Sequence, residues 1–284
     1  SVSAFLLNRS SDLLVDNYYT KYSDIVNELS HYEKYFANKV VMLCCDKPYV
    51  SKFWQYFWSN MQRLRIPMVV STYWSGNEKI PPKITVITRN GVRDMNLKGN
   101  GDFLSNEIRG IMSYVDIVVT NPPFSNSMFS RFLQQLKALN KKFIVIGPTR
   151  SGYEGKVFNM LKNGDASIGY NNNMKFTDQM DGGKEKRIQT SWFTNLQRPA
   201  KGDFNTRQTN ANYVRYDNFN AINVNSKNNI PTNYTGMIGV PPSVISDIDF
   251  NLYNLIKTKT GLTINGQRVP KRMIIQRKRY YGKQ

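Results

Sequence analysis

One short motif in this chain combines residue types that suit a defined chemistry, Asn121-Pro122-Pro123-Phe124. It directly follows residues 116–120, an apolar run rich in β-branched side chains, which predicts a buried strand. Ligands of open α/β sheets bind at the carboxyl ends of the strands. The motif is therefore predicted to lie where a ligand can reach it.

The chemistry that this motif suits is methylation of an exocyclic amino group. The lone pair of an aromatic amine such as adenine N6 is delocalised into the ring, so the nitrogen is a poor nucleophile. The side-chain oxygen of Asn121 and the carbonyl of Pro122 can accept its two N–H groups, which favours a pyramidal nitrogen with a localised lone pair. Two prolines fix φ and remove competing donors. Phe124 offers a flat face on which an extruded base can stack.

A simpler interpretation is that two prolines merely end a strand before a helix. We prefer the chemical interpretation because it uses every residue of the motif. Cysteine and histidine give no comparable candidate for a catalytic site, since the chain has only Cys44, Cys45 and His31. Adjacent cysteines and one histidine cannot complete the usual zinc sites, so we expect no metal and a structural His31. The start of the chain shows no secretory signal, and a cytoplasmic location is expected.

The elements that must position the motif follow from hydrophobic spacing. Helical spacing predicts helices over residues 17–37, 53–64 and 128–139. Short apolar runs predict strands at residues 40–44, 67–73, 84–88, 116–120 and 142–147. This alternation indicates an α/β fold with a mostly parallel sheet and helices on both faces.

Charge indicates the kind of partner. Among 284 residues, 39 Lys and Arg stand against 20 Asp and Glu, which gives a formal net charge of +19. A polyanion, and nucleic acid first of all, is the expected partner. Hydrophobic residues make up 40% of the chain, too many for a disordered basic tail, and no apolar run is long enough to span a membrane.

The composition changes after about residue 195, where Asn, Thr, Tyr and basic residues become frequent. An Asn265-Gly266 pair predicts a tight hairpin between residues 262–264 and 267–269. Residues 270–284 contain six basic residues and no acidic one, around a strand-like run at 273–275. A solvated tail is the simpler interpretation of this end, but its tyrosines and apolar run favour partial folding.

In these segments the chain resembles the EcoRI-type adenine-specific DNA methyltransferases, which use S-adenosylmethionine and whose catalytic tetrapeptide is Asn-Pro-Pro-Phe. The resemblance runs in order from about residue 17 to 278. Beside the tetrapeptide, the segments that carry it include Tyr18-Tyr19-Thr20, Cys44-Cys45-Asp46-Lys47-Pro48, Gly101-Asp102-Phe103, Ser191-Trp192-Phe193-Thr194-Asn195-Leu196, Gly239-Val240-Pro241 and Lys271-Arg272.

The resemblance implies a Rossmann-like S-adenosylmethionine-dependent methyltransferase fold in which Asn121, Pro122, Pro123 and Phe124 are catalytic. It also implies a set of cofactor-binding residues. These are Tyr19, Thr20, Asp46, Lys47, Pro48, Ser51, Asp102, Phe103 and Asn121. Asp46 can accept a hydrogen bond from the cofactor's ammonium group. Three features depart from the general pattern: the first turn lacks Gly-x-Gly, position 47 is Lys where an acid is expected, and Tyr73-Trp74 leaves the ribose contact unassigned.

We therefore expect a DNA adenine-N6 methyltransferase with base flipping. Residues 1–195 form the catalytic domain and residues 196–284 a basic target-recognition region. Duplex DNA is the expected partner, no membrane is involved, and a monomer is the simplest expectation. The residues expected to contact DNA are Lys184, Lys186, Arg187, Lys271, Arg272, Arg277 and Lys278.

Two alternatives stay open at this point. The first keeps the fold and changes the substrate to RNA, with adenine N6 or guanine N2 as the target. The second is a non-catalytic nucleic-acid-binding protein or accessory subunit that has lost cofactor binding, an interpretation that Lys47 and the glycine-poor turn favour.

Overall fold

A computed structural model describes residues 18–73, 82–123, 125–172, 174–178, 184–204 and 213–278. The chain forms two compact units. The first unit contains Ser1–Pro148 and Gly169–Leu196, and the second contains Thr149–Ile168 and Gln197–Gln284. The boundary near residue 196 lies beside the composition change in the sequence, but the second unit also takes residues 149–168 from within the range expected to be catalytic.

The large sheet and its helices account for most of the first unit. Its helices are α1 (Tyr22–Leu29), α2 (Lys52–Asn60), α3 (Asn106–Ser113) and α4 (Asn126–Ala138), with a 3-10 segment at Ser30–Tyr35. Its strands are β1 (Tyr18–Thr20), β2 (Val40–Leu43), β3 (Met68–Thr72), β4 (Lys83–Thr88), β5 (Gly91–Asn96), β6 (Ile117–Thr120), β7 (Lys142–Pro148), β8 (Ser167–Asn172), β9 (Lys175–Asp178), β10 (Lys184–Arg187) and β11 (Thr190–Thr194).

The sheet has eight strands in the order β5-β4-β3-β2-β6-β7-β11-β8. Strands β3, β2, β6 and β7 are parallel, whereas β4, β5 and β11 pair antiparallel to their neighbours. The expectation of a mostly parallel sheet is thus correct only for the centre. The connection from β3 to β4 is too short for a crossover helix, and β4 turns directly into β5, so these edge strands must run antiparallel.

Helices cover both faces of this sheet. Neighbouring residues of a strand point to opposite faces, so the side chains of Trp192 and Phe193 in β11 lie on the two different faces of the sheet. Phe53 of α2 packs on Trp192 with ring centroids 5.8 Å apart, and Phe129 of α4 packs on Phe193 at 5.0 Å. The strands of the centre are therefore buried from two sides, which explains their continuous apolar runs.

The helix predicted over residues 17–37 is divided in the structure. Tyr18–Thr20 forms strand β1, which pairs antiparallel with β9, and the helical part ends in the 3-10 segment. The predicted apolar stripe is nevertheless correct. Its members that are fully buried are Ile25, Leu29, Tyr32 and Phe36.

A buried carboxylate fastens α1 to β8. Glu28 is fully buried and accepts hydrogen bonds from the backbone N–H groups of Tyr170, at 2.9 Å, and Asn171, at 2.7 Å. The Asn171 amide and the Tyr32 hydroxyl add two more, at 2.9 and 3.1 Å. Burial raises the pKa of Glu28, and these hydrogen bonds oppose that rise. A side chain at Gly169 would collide with Glu28, because its Cβ would lie 2.2 Å from Oε1.

The second unit is built around a four-stranded sheet of order β12-β13-β17-β14. Its elements are α5 (Gly155–Asn163), β12 (Ile222–Asn223), β13 (Met237–Val240), β14 (Tyr253–Lys259), β15 (Thr263–Ile264), β16 (Gln267–Arg268) and β17 (Arg272–Arg277), with 3-10 segments at Thr149–Tyr153, Lys227–Asn229 and Pro242–Ser246. Strands β15 and β16 form the predicted hairpin, and Asn265 and Gly266 take the left-handed φ values of 50° and 77° that such a turn requires. Among the described helices, none is long and apolar enough to cross a membrane.

Replacing Glu28 by Gln should lower the free energy of unfolding by about 1–3 kcal/mol, because an amide nitrogen cannot accept from the buried N–H groups of residues 170 and 171. Urea denaturation followed by circular dichroism measures this loss. Glu33→Gln is the control, since Glu33 pairs with Arg63 at the surface at 2.7 Å and should matter little. Equal losses in the two variants would contradict the role given to Glu28.

Candidate active site

Asp46 and Asn121, two of the residues expected to form the site, lie at the point where the strand order of the sheet reverses. From β2 the chain first builds β3 on one side and later returns to build β6 and β7 on the other. The border between β2 and β6 is therefore a topological switch point, the place where open α/β sheets bind ligands. Asp46 follows β2 and Asn121 follows β6, so both lie beyond the carboxyl ends of the two strands at this border.

Hydrogen bonds join the two strand ends at this border. The hydroxyl of Thr120 donates to the Asp46 carboxyl over 2.7 Å and accepts from the backbone N–H of Cys45 over 3.1 Å. The backbone N–H of Asn121 also donates to the Asp46 carboxyl. The segment that presents Asn121 is thus held directly by the residue expected to bind the cofactor.

Asp46 is itself almost completely buried, with 6% of its surface exposed. Burial raises its pKa to about 7, although hydrogen bonds from Thr120, Asn121 and Ser51 oppose the rise. Its backbone carbonyl accepts from the Ser71 hydroxyl at the end of β3 over 2.6 Å. Three neighbouring parallel strands therefore contribute to one polar cluster.

The turn after Asp46 reaches its shape without glycine. Tyr49 adopts a left-handed φ of 65°, a conformation that costs a non-glycine residue about 1–3 kcal/mol. Its ring packs on Trp54 of α2 at 5.0 Å, and Ser51 caps that helix by accepting from the Trp54 N–H at 3.0 Å. Pro48 is buried, whereas Lys47 is exposed with its ammonium 5.9 Å from the centroid of the Tyr73 ring. The missing Gly-x-Gly is thus replaced by a strained but supported turn.

The loop that carries Asp102 lies against the end of β3. Gly101 has a φ of 79°, and a Cβ there would lie 2.3 Å from the carbonyl oxygen of Tyr73. Asp102 is half-buried and accepts from the N–H of Leu104 at 2.9 Å. Phe103 is buried, and its ring packs edge-on against Phe132 of α4 at 5.0 Å. Asp102 therefore lies in a loop that packs against the residue after β3. Strand β3 is the neighbour of β2, the strand that precedes Asp46.

Strand β1 holds the remaining two predicted cofactor residues, Tyr19 and Thr20, and pairs with β9. Thr20 is 4% exposed, and its hydroxyl oxygen has no hydrogen-bond partner among the residues that the structure describes. A buried hydroxyl without a partner is costly, so this atom fits a group that a bound ligand would supply. The structure describes Tyr19 only as part of the strand.

The Asn-Pro-Pro motif, which is expected to be catalytic, is partly exposed at two of its described positions. Asn121 and Pro123 are half-buried and Pro122 is buried, while Phe124 lies outside the described residues. The Oδ1 atom of Asn121 itself is shielded from water. The corner is therefore partly exposed, while its amide oxygen faces the interior.

Of the residues expected to contact DNA, Lys184, Lys186 and Arg187 belong to β10, which pairs antiparallel with β9. The backbone of this segment is therefore a strand. The structure does not describe the side chains of these three residues, so their contact with DNA stays a prediction.

The other expected DNA contacts are engaged within the second unit. Arg272 is 7% exposed, and its guanidinium donates to the amide oxygens of Asn223, at 3.1 Å, and Asn225, at 2.6 Å. Burial on this scale argues against a direct phosphate contact by Arg272. Lys271 donates to Glu154 over 2.9 Å, which places its charge in an ion pair.

Arg277 and Lys278 are held in a similar way. Arg277 forms an ion pair with Asp203 and donates to the Tyr253 hydroxyl at 3.2 Å. Lys278 donates to the carbonyl of Phe250 at 2.7 Å, and burial lowers its pKa. Free basic groups for a polyanion must therefore be sought elsewhere in this unit.

Sequence reasoning missed Thr120 and Ser71, the hydroxyls that hold Asp46 in place. The available signal was their position, since each is a polar residue at the end of an otherwise apolar strand. The single histidine, His31, stacks on Tyr170 with ring centroids 3.8 Å apart, which gives it a packing role.

A parallel sheet centre with a buried carboxyl group and an Asn-Pro-Pro corner at its switch point is the arrangement in which open α/β folds bind ligands at the strand ends. Comparison with known proteins identifies the class further. Residues 6–284 match the family described as "Adenine-specific methyltransferase EcoRI". The chain therefore belongs to the EcoRI family of adenine-specific methyltransferases, which confirms the predicted family and enzyme class.

Individual relatives agree with this assignment. The chain is 31% identical to the Type II methyltransferase M.EcoRI of Escherichia coli, over 96% of this chain and 97% of the relative. It is 33% identical to M.MgeORF184P of Mycoplasma genitalium, over 87% and 82%, and 29% identical to M.MpnI of Mycoplasma pneumoniae, over 88% and 84%. No solved structure matches the chain.

The raised pKa of Asp46 makes stability depend on pH. The folded protein keeps the carboxyl proton up to about pH 7, whereas an unfolded aspartate loses it near 3.8. The wild-type free energy of unfolding therefore falls as the pH rises between these values and is constant above them. Asp46→Asn has no such loss, so its stability relative to wild type should rise from pH 5 to 8 by up to about 3 kcal/mol.

Urea denaturation between about pH 5 and 8.5 measures the difference between the two proteins. Asp94→Asn is the matched control, because it makes the same chemical change at an exposed position on strand β5. A difference between wild type and Asp46→Asn that is the same at every pH would contradict the buried, protonated carboxyl group.

Replacing Thr120 by Val should destabilise the protein by about 1–3 kcal/mol, because the buried Asp46 carboxyl loses a donor and the Cys45 amide loses an acceptor. The loss should be larger at pH 8, where Asp46 is ionised, than at pH 6. Thr120→Ser keeps the hydroxyl and should lose less. Thermal and urea unfolding of both variants at the two pH values test this, and identical behaviour of Val and Ser would refute it.

Proposed function

We propose that this protein transfers a methyl group from S-adenosylmethionine to the N6 amino group of an adenine flipped out of duplex DNA. The observation that carries the proposal is the Asn121-Pro122-Pro123 corner, joined through Thr120 to Asp46 across the switch point. Membership of the adenine-specific family supports it.

In this proposal the chain activates the amine by holding it. The Asn121 side-chain oxygen and the Pro122 carbonyl accept its two N–H groups, so the nitrogen lone pair is no longer shared with the ring. The fixed φ of both prolines holds these oxygens in position before the base arrives. The hydrogen bond from the Asn121 N–H to Asp46 fixes the first residue of the corner. Phe124 stacks on the flipped base.

The proposed cofactor-binding residues are Asp46 with its turn, the loop at Asp102 and Phe103, and strand residues Tyr19 and Thr20. When bound, S-adenosylmethionine supplies a methyl group made reactive by its attachment to a sulfonium sulfur. The residues present fit such a ligand, because Thr20 offers a buried unsatisfied hydroxyl and Asp46 a carboxyl that can accept from an ammonium group. The strand order β3-β2-β6 sets the Asp102 loop, Asp46 and Asn121 along one edge.

The partner proposed is duplex DNA, gripped and read mainly by the region from residue 196 to 284. The charge of +19 and the names of the relatives, which are Type II methyltransferases, support DNA and a role in restriction-modification. Phosphate contacts should make binding strongly dependent on salt. We also propose that the protein acts as a monomer in the cytoplasm.

Asn121→Ala should reduce methyl transfer by more than about 100-fold, because the amine loses one of the two oxygens that localise its lone pair. Its affinity for duplex DNA should remain close to that of the wild type. Transfer of labelled methyl groups to adenine, together with DNA binding by fluorescence anisotropy, measures both properties. The control is Asn96→Ala on the exposed strand β5. Near-normal turnover of Asn121→Ala would refute the mechanism.

Three measurements address the possibilities that remain. Labelling of RNA with no labelling of duplex DNA would replace the proposed substrate. Calorimetry with S-adenosylmethionine that detects no binding, even with DNA present, would indicate a non-catalytic protein. Sequencing of modified bases in DNA from cells that express the protein would identify the target site.

A further inference from the structure

Within the second unit, several basic residues are neutralised by carboxylates. These pairs are Lys227 with Asp247 at 2.9 Å, Arg150 and Lys271 with the shared Glu154, each at 2.9 Å, and Arg277 with Asp203. Two lysines of strand β14, Lys257 and Lys259, instead lie beside a neutral aromatic ring.

Lys257 and Lys259 converge on one aromatic ring. Their ammonium groups lie 4.7 and 5.3 Å from the centroid of Phe219, and neither forms an ion pair among the described residues. A bulge in β14 between Leu255 and Lys257 sets the register, and the two lysines, two residues apart, lie on the same face of the strand. Two like charges held over one ring repel each other, and the ring compensates only part of their charge.

The surroundings add positive charge, and among the described residues no carboxylate forms an ion pair with either lysine. Arg272 lies opposite Lys259 in the strand pairing, and its partners Asn223 and Asn225 are uncharged amides. The nearest acid in sequence to Phe219 is Asp217, whose two oxygens accept from the backbone N–H groups of residues 265 and 266. This surface, which we call the lysine pair, consists of Lys257, Lys259 and Phe219.

We propose that the lysine pair contacts the phosphate backbone of duplex DNA, an inference that rests on the proposed function. Lys257 is exposed and Lys259 half-buried, and both ammonium groups lie over one ring. Two ammonium groups gathered in this way suit neighbouring phosphate oxygens, and cations without an ion pair gain most when an anion arrives. Phe219 is a positioning residue that orders the lysine side chains before binding. Contacts of this kind set affinity and orientation and carry no base specificity.

The test is the salt dependence of duplex binding by the full chain carrying Lys257→Gln and Lys259→Gln. Each lost phosphate contact lowers the slope of log K against log salt by about 0.9, so the double variant should lose about 1.8. Between about 50 and 200 mM salt, its Kd should change roughly tenfold less than that of the wild type. Methyl transfer at saturating DNA should be unchanged, because neither lysine belongs to the catalytic corner.

Three further variants sharpen the result. Lys227→Gln removes an equal charge from an ion pair in the same unit and should keep the wild-type slope. Lys257→Arg with Lys259→Arg keeps the charges and should keep the slope as well. Phe219→Leu preserves apolar packing but loses the ring, so binding should weaken with both lysines still present.

Two results would overturn the inference. If the wild type binds and methylates duplex DNA while the double glutamine variant has the same slope and Kd, the lysine pair is not a DNA contact although the proposed function stands. If the wild type neither binds nor methylates duplex DNA, the proposed function and the lysine pair both fail.

Discussion

The whole site depends on one buried hydrogen bond, from the Thr120 hydroxyl to the Asp46 carboxyl. It connects two neighbouring parallel strands at the point where the order of the sheet reverses. The same carboxyl group accepts a hydrogen bond from the N–H of Asn121, so the position of the Asn-Pro-Pro corner is tied to the position of Asp46. The cost of burying this acid is visible in its raised pKa. Burial of this carboxyl group lowers the stability of the fold, and its hydrogen bonds fix the geometry of the strand ends, a combination that is common at functional sites.

The second unit sorts its basic residues into two kinds. Some are paired with carboxylates, whereas Lys257 and Lys259 have no ion pair among the described residues and lie over the neutral Phe219 ring. Net charge alone does not separate these groups, because every lysine contributes equally to the sum of +19. The contacts of each side chain do separate the two groups. They make strand β14, and not the carboxyl end of the chain, the proposed place of DNA contact in this unit.

The sequence predicted the parallel centre, the hairpin at Asn265-Gly266 and the motif at the end of β6, because each has a strong local signal. It missed β5, an edge strand with little burial and therefore no clear alternation. It also treated Lys271 and Arg272 as DNA contacts, since nothing local reveals that Glu154 and Asn223 lie beside them. Partners that are distant in sequence decide whether a basic side chain is free, and a single sequence does not show them.

The turn after Asp46 has a further consequence. A glycine turn owes its shape to backbone freedom, whereas here the shape depends on Tyr49 resting against Trp54 of α2. The turn and α2 are thus joined by this ring contact. Substitutions that displace Trp54, which is 4% exposed, are therefore expected to shift the turn beside Asp46.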